Sequence, residues 1–268
     1  MIYVFSKKIQ MLEHLALQKP DKMLTLYLNT DRRNQDQQGG EWKIALKNGL
    51  NRLGEYLEIS DLDEKKRFVS IREKIEKYIS SREREMPRSI ILFASDDSGI
   101  WETFEMQNPV ETSFYWEEHA VLDQIQDIHQ QYPLSAFILL QQNQVKVLET
   151  MFGELQKKDY YEYDLDTEDW KKHEGPHHAD VTMGSGGGNA NKKDHFEERV
   201  KANQKRWIKS LGSSLDKKAA DRKWEKIVLV GEKSTADLLD ASMNKHIHEK
   251  IQKNLLHENE TKVIEELT

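Results

Sequence analysis

Very few apolar side chains occur between residues 166 and 193, with Trp170, Val181 and Met183 as the main exceptions. Residues 184–191 of this stretch read Gly-Ser-Gly-Gly-Gly-Asn-Ala-Asn. Such a segment cannot pack a core, and glycine loses more conformational freedom on ordering than any other residue. Loops of nearly 30 residues inside a compact domain are uncommon and are mostly functional or disordered. We therefore expect a long polar loop whose glycine-rich tip is ordered by a binding partner.

The charge along the chain is distributed unevenly. The 268 residues carry a formal net charge of −7, yet Lys192 to Lys226 contains 12 Lys or Arg against 6 Asp or Glu. This segment is therefore at +6 and the remainder at −13. Because salt confines electrostatic effects to about 8–10 Å, a basic segment on an acidic chain can still contact a phosphate backbone. The pattern predicts a positioned nucleic-acid contact rather than general polyanion binding.

Composition argues against several classes of protein. The chain has no cysteine, which removes disulfides, thiolate catalysis and Cys-based zinc sites. No run approaches the roughly 18 apolar residues of a membrane span, and the N-terminal charges follow a short apolar run, the reverse of a secretory signal. We expect a cytoplasmic protein that needs no cofactor and has neither a membrane nor DNA as a partner.

Short apolar runs alternate with helical periodicities, which is typical of a mixed α/β fold. The length suits two domains, and we predict an N-terminal α/β sandwich over residues 1–132 and a second α/β domain over 133–268. In the first domain the patterns predict a strand, two helices, a hairpin and a third helix at Met23–Leu28, Trp42–Leu57, Phe68–Ile79, Ser89–Met106 and Val121–Ile128.

The second domain begins with another predicted hairpin at residues 136–148. A third strand around Tyr160–Tyr163 precedes the polar loop, and apolar positions from Phe196 to Leu211 then predict a long helix. A buried strand at Ile227–Val230, a short helix and a helical acidic tail complete the predicted domain.

Three motifs could carry chemistry, and each has a simpler interpretation. The glycine run fits neither a Walker loop nor a dinucleotide fingerprint, since Asn189 follows the glycines and no strand precedes them. His173, His177 and His178 are weak candidates for metal ligands, with a solvated polar loop as the alternative. The adjacent Asp96 and Asp97 are interpreted as turn formers rather than a catalytic carboxylate pair.

The ordered set of motifs over residues 20–245 resembles a known family. The set comprises the hairpin Phe137–Leu148, Gly153-Glu154-Leu155, Gly187-Gly188 followed by His195-Phe196, and Trp224–Gly231. It is similar to the archaeo-eukaryotic peptide-release-factor family, in particular to its bacterial branch, which is related to Vms-type and Pelota-like ribosome-rescue factors. The resemblance implies that the second domain is ribonuclease-H-like and carries the family's glycine loop at residues 184–191.

In the family, a Gly-Gly-Gln tip enters the ribosomal peptidyl-transferase centre, and the glutamine positions water against the ester of peptidyl-tRNA. The resemblance implies that Gly186, Gly187 and Gly188 supply backbone amides and that Asn189 or Asn191 orients the water. Asparagine has one methylene less than glutamine, a difference in reach of about 1.5 Å. A misplacement on the order of 1 Å can cost about 100-fold in rate.

The helix after the loop is the predicted RNA-binding element, although a solvated charged face is the alternative. Its candidate phosphate contacts are Lys192, Lys193, Arg199, Lys201, Lys205, Arg206 and Lys209. The implied function is codon-independent hydrolysis of peptidyl-tRNA on stalled ribosomes. The alternatives are a non-catalytic ribosome- or tRNA-binding or protective factor, and a metal-dependent tRNA nuclease or hydrolase. The family's usual third domain has no counterpart here, so we expect a protein partner that supplies it.

Overall fold

The computed structural model describes residues 2–33, 39–58, 62–141, 143–163, 170–173 and 190–268. Only the backbone is described for residues 2–4, 6, 58, 170–173 and 190–201. The chain forms two compact units, Met1–Gln131 and Tyr132–Thr268. Among the described residues, no helix combines the length and apolar character needed to cross a membrane.

In its described residues, the first unit contains four α-helices, a short 3₁₀ helix (Glu83–Glu85) and a four-stranded antiparallel sheet with the strand order β3-β2-β1-β4. Its elements are α1 (Ile2–Glu13), β1 (Met23–Asn29), α2 (Glu41–Glu58), α3 (Leu62–Arg82), β2 (Ser89–Ala94), β3 (Trp101–Met106), β4 (Ser113–Glu117) and α4 (Asp123–Gln131).

Both faces of this sheet are covered, which explains why β1 and β2 are continuous apolar runs instead of alternating ones. Leu24, Leu26 and Leu28 of β1 pack in one cluster with the apolar side of α2 and α3. On the other face, Phe5 of α1 contacts Phe104 of β3 with ring centroids 5.1 Å apart. The result is the α/β sandwich that the sequence predicts.

The second unit contains a six-stranded mixed sheet with the strand order β10-β9-β5-β6-β7-β8. Its elements are β5 (Ser135–Gln141), β6 (Gln144–Met151), β7 (Glu154–Tyr163), β8 (Trp170–His173), α5 (Ala190–Arg222), β9 (Lys226–Gly231), α6 (Lys233–Asp240), β10 (Glu249–Ile251) and α7 (Glu260–Leu267). Strands β5 to β8 are antiparallel, whereas β5, β9 and β10 run parallel.

Two helical layers cover this sheet. The apolar sides of α5 and α6 pack on one face, in a cluster with Ile138 and Leu229. Val263 of α7 packs on the other face with Leu139 and Val228. The strands β5, β6 and β7, the helix α5 and the strand β9, which runs parallel to β5, follow the order expected of a ribonuclease-H-like sheet, and β8 adds a further strand at one edge. The predicted mixed α/β fold is confirmed.

Local predictions agree with the structure in several places. The hairpins β2–β3 and β5–β6 form with antiparallel pairing, and the long helix extends beyond its predicted span to cover Ala190–Arg222. Helix α1 and the strands β4, β8 and β10 were not expected, because short or half-exposed segments give weak periodicity.

The turn between β2 and β3 shows what Asp96 and Asp97 do. The backbone N–H of Gly99 donates to the carbonyl of Asp96 at 3.2 Å, which closes the turn. The Asp96 carboxylate accepts from Ser70 at 2.8 Å and from Lys74 at 3.0 Å, while Arg67 donates to Asp97 at 2.6 Å. Partial burial tends to raise the pKa of Asp96, but Lys74 and Ser70 hold it below its ordinary value. The pair therefore attaches the turn to α3.

Candidate nucleic-acid interface

Helix α5 is the element that positions the predicted RNA contacts. It spans 33 residues from Ala190 to Arg222, a length of about 50 Å at the α-helical rise. It begins at Ala190, so Ala190 and Asn191, the last two residues of the predicted glycine loop 184–191, lie in its first turn, and β9 follows its other end. Because helix N-termini carry unpaired backbone N–H groups, this end of α5 favours negative charge.

One side of α5 is fixed to the sheet by a row of apolar residues. The buried side chains begin at the neighbouring pair Trp207 and Ile208 and then recur every three or four positions, the spacing of one helical face, at Leu211, Leu215 and Ala219. The indole of Trp207 stacks on the ring of Tyr163 in β7, with centroids 5.6 Å apart and an interplanar angle of 27°. This row sets the rotation of the helix about its axis.

Two further contacts fix α5 along its length. A Cβ added at Gly212 would lie 2.7 Å from the carbonyl oxygen of Ser242, so the helix and the turn after α6 are in direct backbone contact. One turn later, the Asp216 carboxylate accepts from the backbone N–H groups of Asn244 and Lys245 at 2.8 Å and 3.0 Å. The position of α5 is therefore determined by packing and by hydrogen bonds.

Lys218 of α5 takes part in a buried polar cluster that the sequence did not indicate. Its ammonium group pairs with Asp159 of β7 and donates to the hydroxyl of Tyr161 at 3.0 Å. In the same cluster lies Glu149 of β6, which has no solvent exposure. In the sequence, Asp159 lies two and four positions before Tyr161 and Tyr163, whose side chains face the core. Side chains two positions apart in a strand project from the same face of the sheet, and this alternation is the only signal that Asp159 is buried.

The opposite side of α5 presents exposed cations. Lys205, Arg206 and Lys209 are exposed, and none of them forms an ion pair within the part of the chain that the structure describes. At 100° per residue they lie within an arc of about 100°, which faces away from the buried row. A surface with uncompensated positive charge on a fixed helix suits binding to phosphate groups.

For the remaining predicted site residues, the structure describes either nothing or the backbone alone. Gly186, Gly187, Gly188 and Asn189 are not among the described residues. Five others lie in α5 with only their backbone described, namely Asn191, Lys192, Lys193, Arg199 and Lys201.

For the histidines proposed as weak metal ligands, no side chain is described. His177 and His178 lie outside the description, and of His173 in β8 only the backbone is described. In the described part of the chain, no group of three or more His, Cys, Asp or Glu could hold a metal ion.

The chain is similar to several known proteins. Residues 133–268, just over half of the chain, match the family described as bacterial archaeo-eukaryotic release factor family 5. The uncharacterized protein YocB of Bacillus subtilis (strain 168) is 51% identical over 259 residues, which cover 97% of this chain and 96% of that protein.

Two solved structures also match at low similarity. One is an archaeal translation termination factor, aRF1, with a TM-score of 0.32, 11% identity and coverage of 94% of this chain and 66% of that one. The other is described as an archaeal protein, with a TM-score of 0.31, 10% identity and coverage of 99% and 73%. The family match and the 51% identical relative identify this protein as a member of bacterial archaeo-eukaryotic release factor family 5.

Proposed function

We propose that this protein is a ribosome-associated, release-factor-like protein that hydrolyses peptidyl-tRNA on stalled ribosomes without reading a codon. The observation that carries the proposal is the position of α5. The family match covers the unit that contains this helix, and the helix begins directly after Gly186 to Asn189 and presents cations that form no ion pair with the described residues.

Each segment has a proposed role that follows from its chemistry. The cations of α5, with Lys205, Arg206 and Lys209 as the described examples, hold RNA phosphates through charge-assisted hydrogen bonds. Gly186 to Gly188 allow the backbone to approach RNA closely, and their amides stabilise the oxyanion that develops at the ester. Asn189 or Asn191 orients the attacking water. This is catalysis by positioning and electrostatics, with no covalent intermediate on the protein.

Peptide release from purified stalled ribosomes carrying peptidyl-tRNA tests the catalytic step. We expect release by the full chain and its loss in the Asn189→Ala/Asn191→Ala variant. Asn48→Ala serves as the matched control, because Asn48 is exposed on α2. Lengthening the side chain with Asn189→Gln should increase the rate if Asn189 orients water, since it restores the reach of the family glutamine. Release that persists in the double variant would refute the assigned roles.

A second function, a non-catalytic ribosome- or tRNA-binding factor, is favoured by one observation. The chain has asparagine where the family has glutamine, and the shorter side chain reaches about 1.5 Å less far. Ribosome binding without release, unchanged by the asparagine substitutions, would identify this function. Absence of ribosome association at physiological salt would exclude both functions.

A further inference from the structure

A cleft with a volume of about 700 Å³ opens at one end of the parallel strands in the second unit. Strands β5, β9 and β10 end there at Gln141, Gly231 and Ile251. The chain leaves these ends in different directions, since β5 turns back into β6, β9 enters α6 on one face of the sheet, and β10 leads towards α7 on the other. Diverging connections at the carboxyl ends of parallel strands create the usual ligand crevice of α/β sheets.

The wall of this cleft carries four side-chain amides, from Gln141, Asn143, Gln252 and Asn254. Each amide offers two donor hydrogens and an acceptor oxygen, the combination that recognises the edges of nucleic-acid bases. The volume lies within the range of about 300–1,000 Å³ that is typical of small-molecule sites. The cleft is therefore large enough, and polar enough, for a heteroaromatic base with an attached sugar.

One end of the cleft favours an anion. Helix α6 begins there at Lys233, and the preceding residue, Glu232, makes no capping hydrogen bond through its side chain. The first N–H groups of the helix are thus left without a side-chain cap, in a position that favours a phosphate. Lys233 lines the same cleft, is exposed, and forms no ion pair within the described part of the chain.

Of the other two charged groups of the cleft, only Lys253 has an ion-pair partner in the described structure, Glu266 at 2.7 Å. The carboxylate of Glu232 accepts a hydrogen bond from Ser234 at 2.8 Å and keeps its negative charge. Lys233 is therefore the lining cation that remains available to a ligand.

Thr235 presents a further polar group to the cleft. Its side chain lines the cleft, yet the residue is only 5% exposed. No hydrogen bond joins its hydroxyl to another described residue, and the hydroxyl oxygen is not one of the fully buried unpaired atoms, so it opens into the cleft. Because a hydroxyl can both donate and accept, a ligand oxygen in the cleft can form a hydrogen bond with it.

We propose that this cleft binds a nucleoside monophosphate unit, either as a free mononucleotide or as one nucleotide of an RNA chain. The phosphate lies at the N-terminus of α6 and contacts Lys233 and the hydroxyl of Thr235. The base lies among the four amides. This site goes beyond the release activity proposed above and does not depend on it, because it requires no contact with the ribosome.

Titration calorimetry on the full chain tests the site with defined probes. These are the four ribonucleoside 5′-monophosphates, the matching nucleosides, inorganic phosphate and short trinucleotides of RNA. We expect saturable binding of at least one monophosphate with a stoichiometry of one, and binding of its nucleoside weaker by about tenfold or more. A trinucleotide that binds more tightly than every mononucleotide would identify an RNA chain as the source of the ligand, and equal affinity would identify a free nucleotide.

Two substitutions locate the binding in the cleft. Lys233→Gln should weaken monophosphate binding roughly tenfold, since it removes a charge-assisted contact. Thr235→Val should also weaken it while leaving the thermal unfolding midpoint unchanged or higher, because valine fills the same volume without an unpaired hydroxyl. Lys47→Gln, at an exposed and unpaired lysine of α2 in the described chain, is the matched control and should bind as the unchanged protein does.

Three results would overturn the proposal. The first is no detectable binding of any mononucleotide or trinucleotide at millimolar concentration. The second is binding that neither Lys233→Gln nor Thr235→Val alters. The third is an affinity for inorganic phosphate equal to the affinity for the mononucleotides. The four side-chain amides would then contribute no recognition of a base. All three can occur in a protein that still releases peptide, so this test and the release assay can fail separately.

Discussion

Single residues of the second unit show how burial changes ionisation. Glu149 of β6 is fully buried, and neither of its carboxyl oxygens has a hydrogen-bond partner in the described structure. Burial raises the pKa of this carboxyl group, although the positive charges of Arg222 and Lys218 act in the opposite direction. The folded protein therefore holds a proton on Glu149 more tightly than the unfolded chain does.

This difference predicts a pH-dependent effect of Glu149→Gln. The stabilising contribution of protonated Glu149 is complete below its ordinary pKa of 4.5 and is lost as the pH rises through the raised pKa of the folded state. Glutamine is neutral at every pH, so the variant should exceed the unchanged protein in free energy of unfolding by roughly 1–2 kcal/mol at pH 8. The advantage should shrink towards pH 4.5. Urea denaturation across this pH range measures it.

Glu265→Gln is the matched control, since Glu265 is exposed on α7. Its effect on the free energy of unfolding should be small throughout the range. A difference between Glu149→Gln and the unchanged protein that stays constant with pH would show that ionisation of Glu149 is not linked to folding.

At the scale of elements, close contact between its backbone and that of the turn after α6 holds α5 in place as much as the burial of its apolar side chains does. Gly212 faces the backbone of Ser242, whose carbonyl oxygen leaves no room for a side chain. In contrast, Gly54 of α2 has only the Phe68 ring edge near its open side, at 3.4 Å. Both are helical glycines, yet only Gly212 is required by packing.

The two glycines predict opposite effects of an added methyl group. Gly212→Ala should destabilise the fold by about 1–3 kcal/mol, because α5 must move away from the turn after α6. Gly54→Ala should stabilise it by roughly 0.5–1 kcal/mol through the higher helix propensity of alanine. Chemical denaturation of both variants measures the changes. Equal effects at the two positions would contradict the close contact of α5 with Ser242.

The outer face of α5 predicts a change in salt dependence. Replacing Lys205, Arg206 and Lys209 together by glutamine should weaken ribosome or tRNA binding and lower the log–log salt slope by about one unit for each lost phosphate contact. Filter binding at several salt concentrations measures both quantities. The control replaces Lys47, Arg52 and Lys77, which are exposed cations of the first unit, by glutamine and removes the same charge. Equal losses in the two variants would exclude a specific role of α5.

At the scale of the whole molecule, the chain contains two units, each with its own sheet and its own apolar clusters. The cluster around Leu26 and Ile75 belongs to the first unit, and the cluster around Val147 and Leu215 belongs to the second. A sheet covered on both faces by its own helices has the features of an independently folding domain.

We therefore predict that residues 1–131 and 132–268 fold when produced separately. Each should show a cooperative thermal transition and dispersed amide resonances, because its core is contributed by its own elements. Calorimetry and two-dimensional NMR of the two fragments measure this. If either fragment lacked a cooperative transition, its core would depend on the other unit. The fragment 132–268 should also retain any nucleotide binding, because every residue lining the cleft lies in it.

Much of the architecture was predictable because the signals are local. The buried runs Ile90–Ala94 and Ile227–Val230 and the turn at Asp96–Gly99 each predict their own element from a few neighbouring residues. The mixed α/β fold follows from the order of such signals. The assignments to Asn189 and to the glycines before it remain predictions, since they rest on a resemblance.

The sequence alone predicted most of the elements, although not α1, β4, β8 and β10, and it determined the family resemblance and the excess of positive charge after the glycine segment. Only the tertiary structure decided which of those charges are available: Lys218 is neutralised by Asp159, which lies 59 positions away, whereas Lys205 and Lys209 are exposed. The cleft with Lys233 and Thr235 likewise exists only where β5, β9 and β10 end side by side. The physical reason is that periodicity reports the burial of a residue within its own element, while pairing and enclosure depend on residues far apart in the chain.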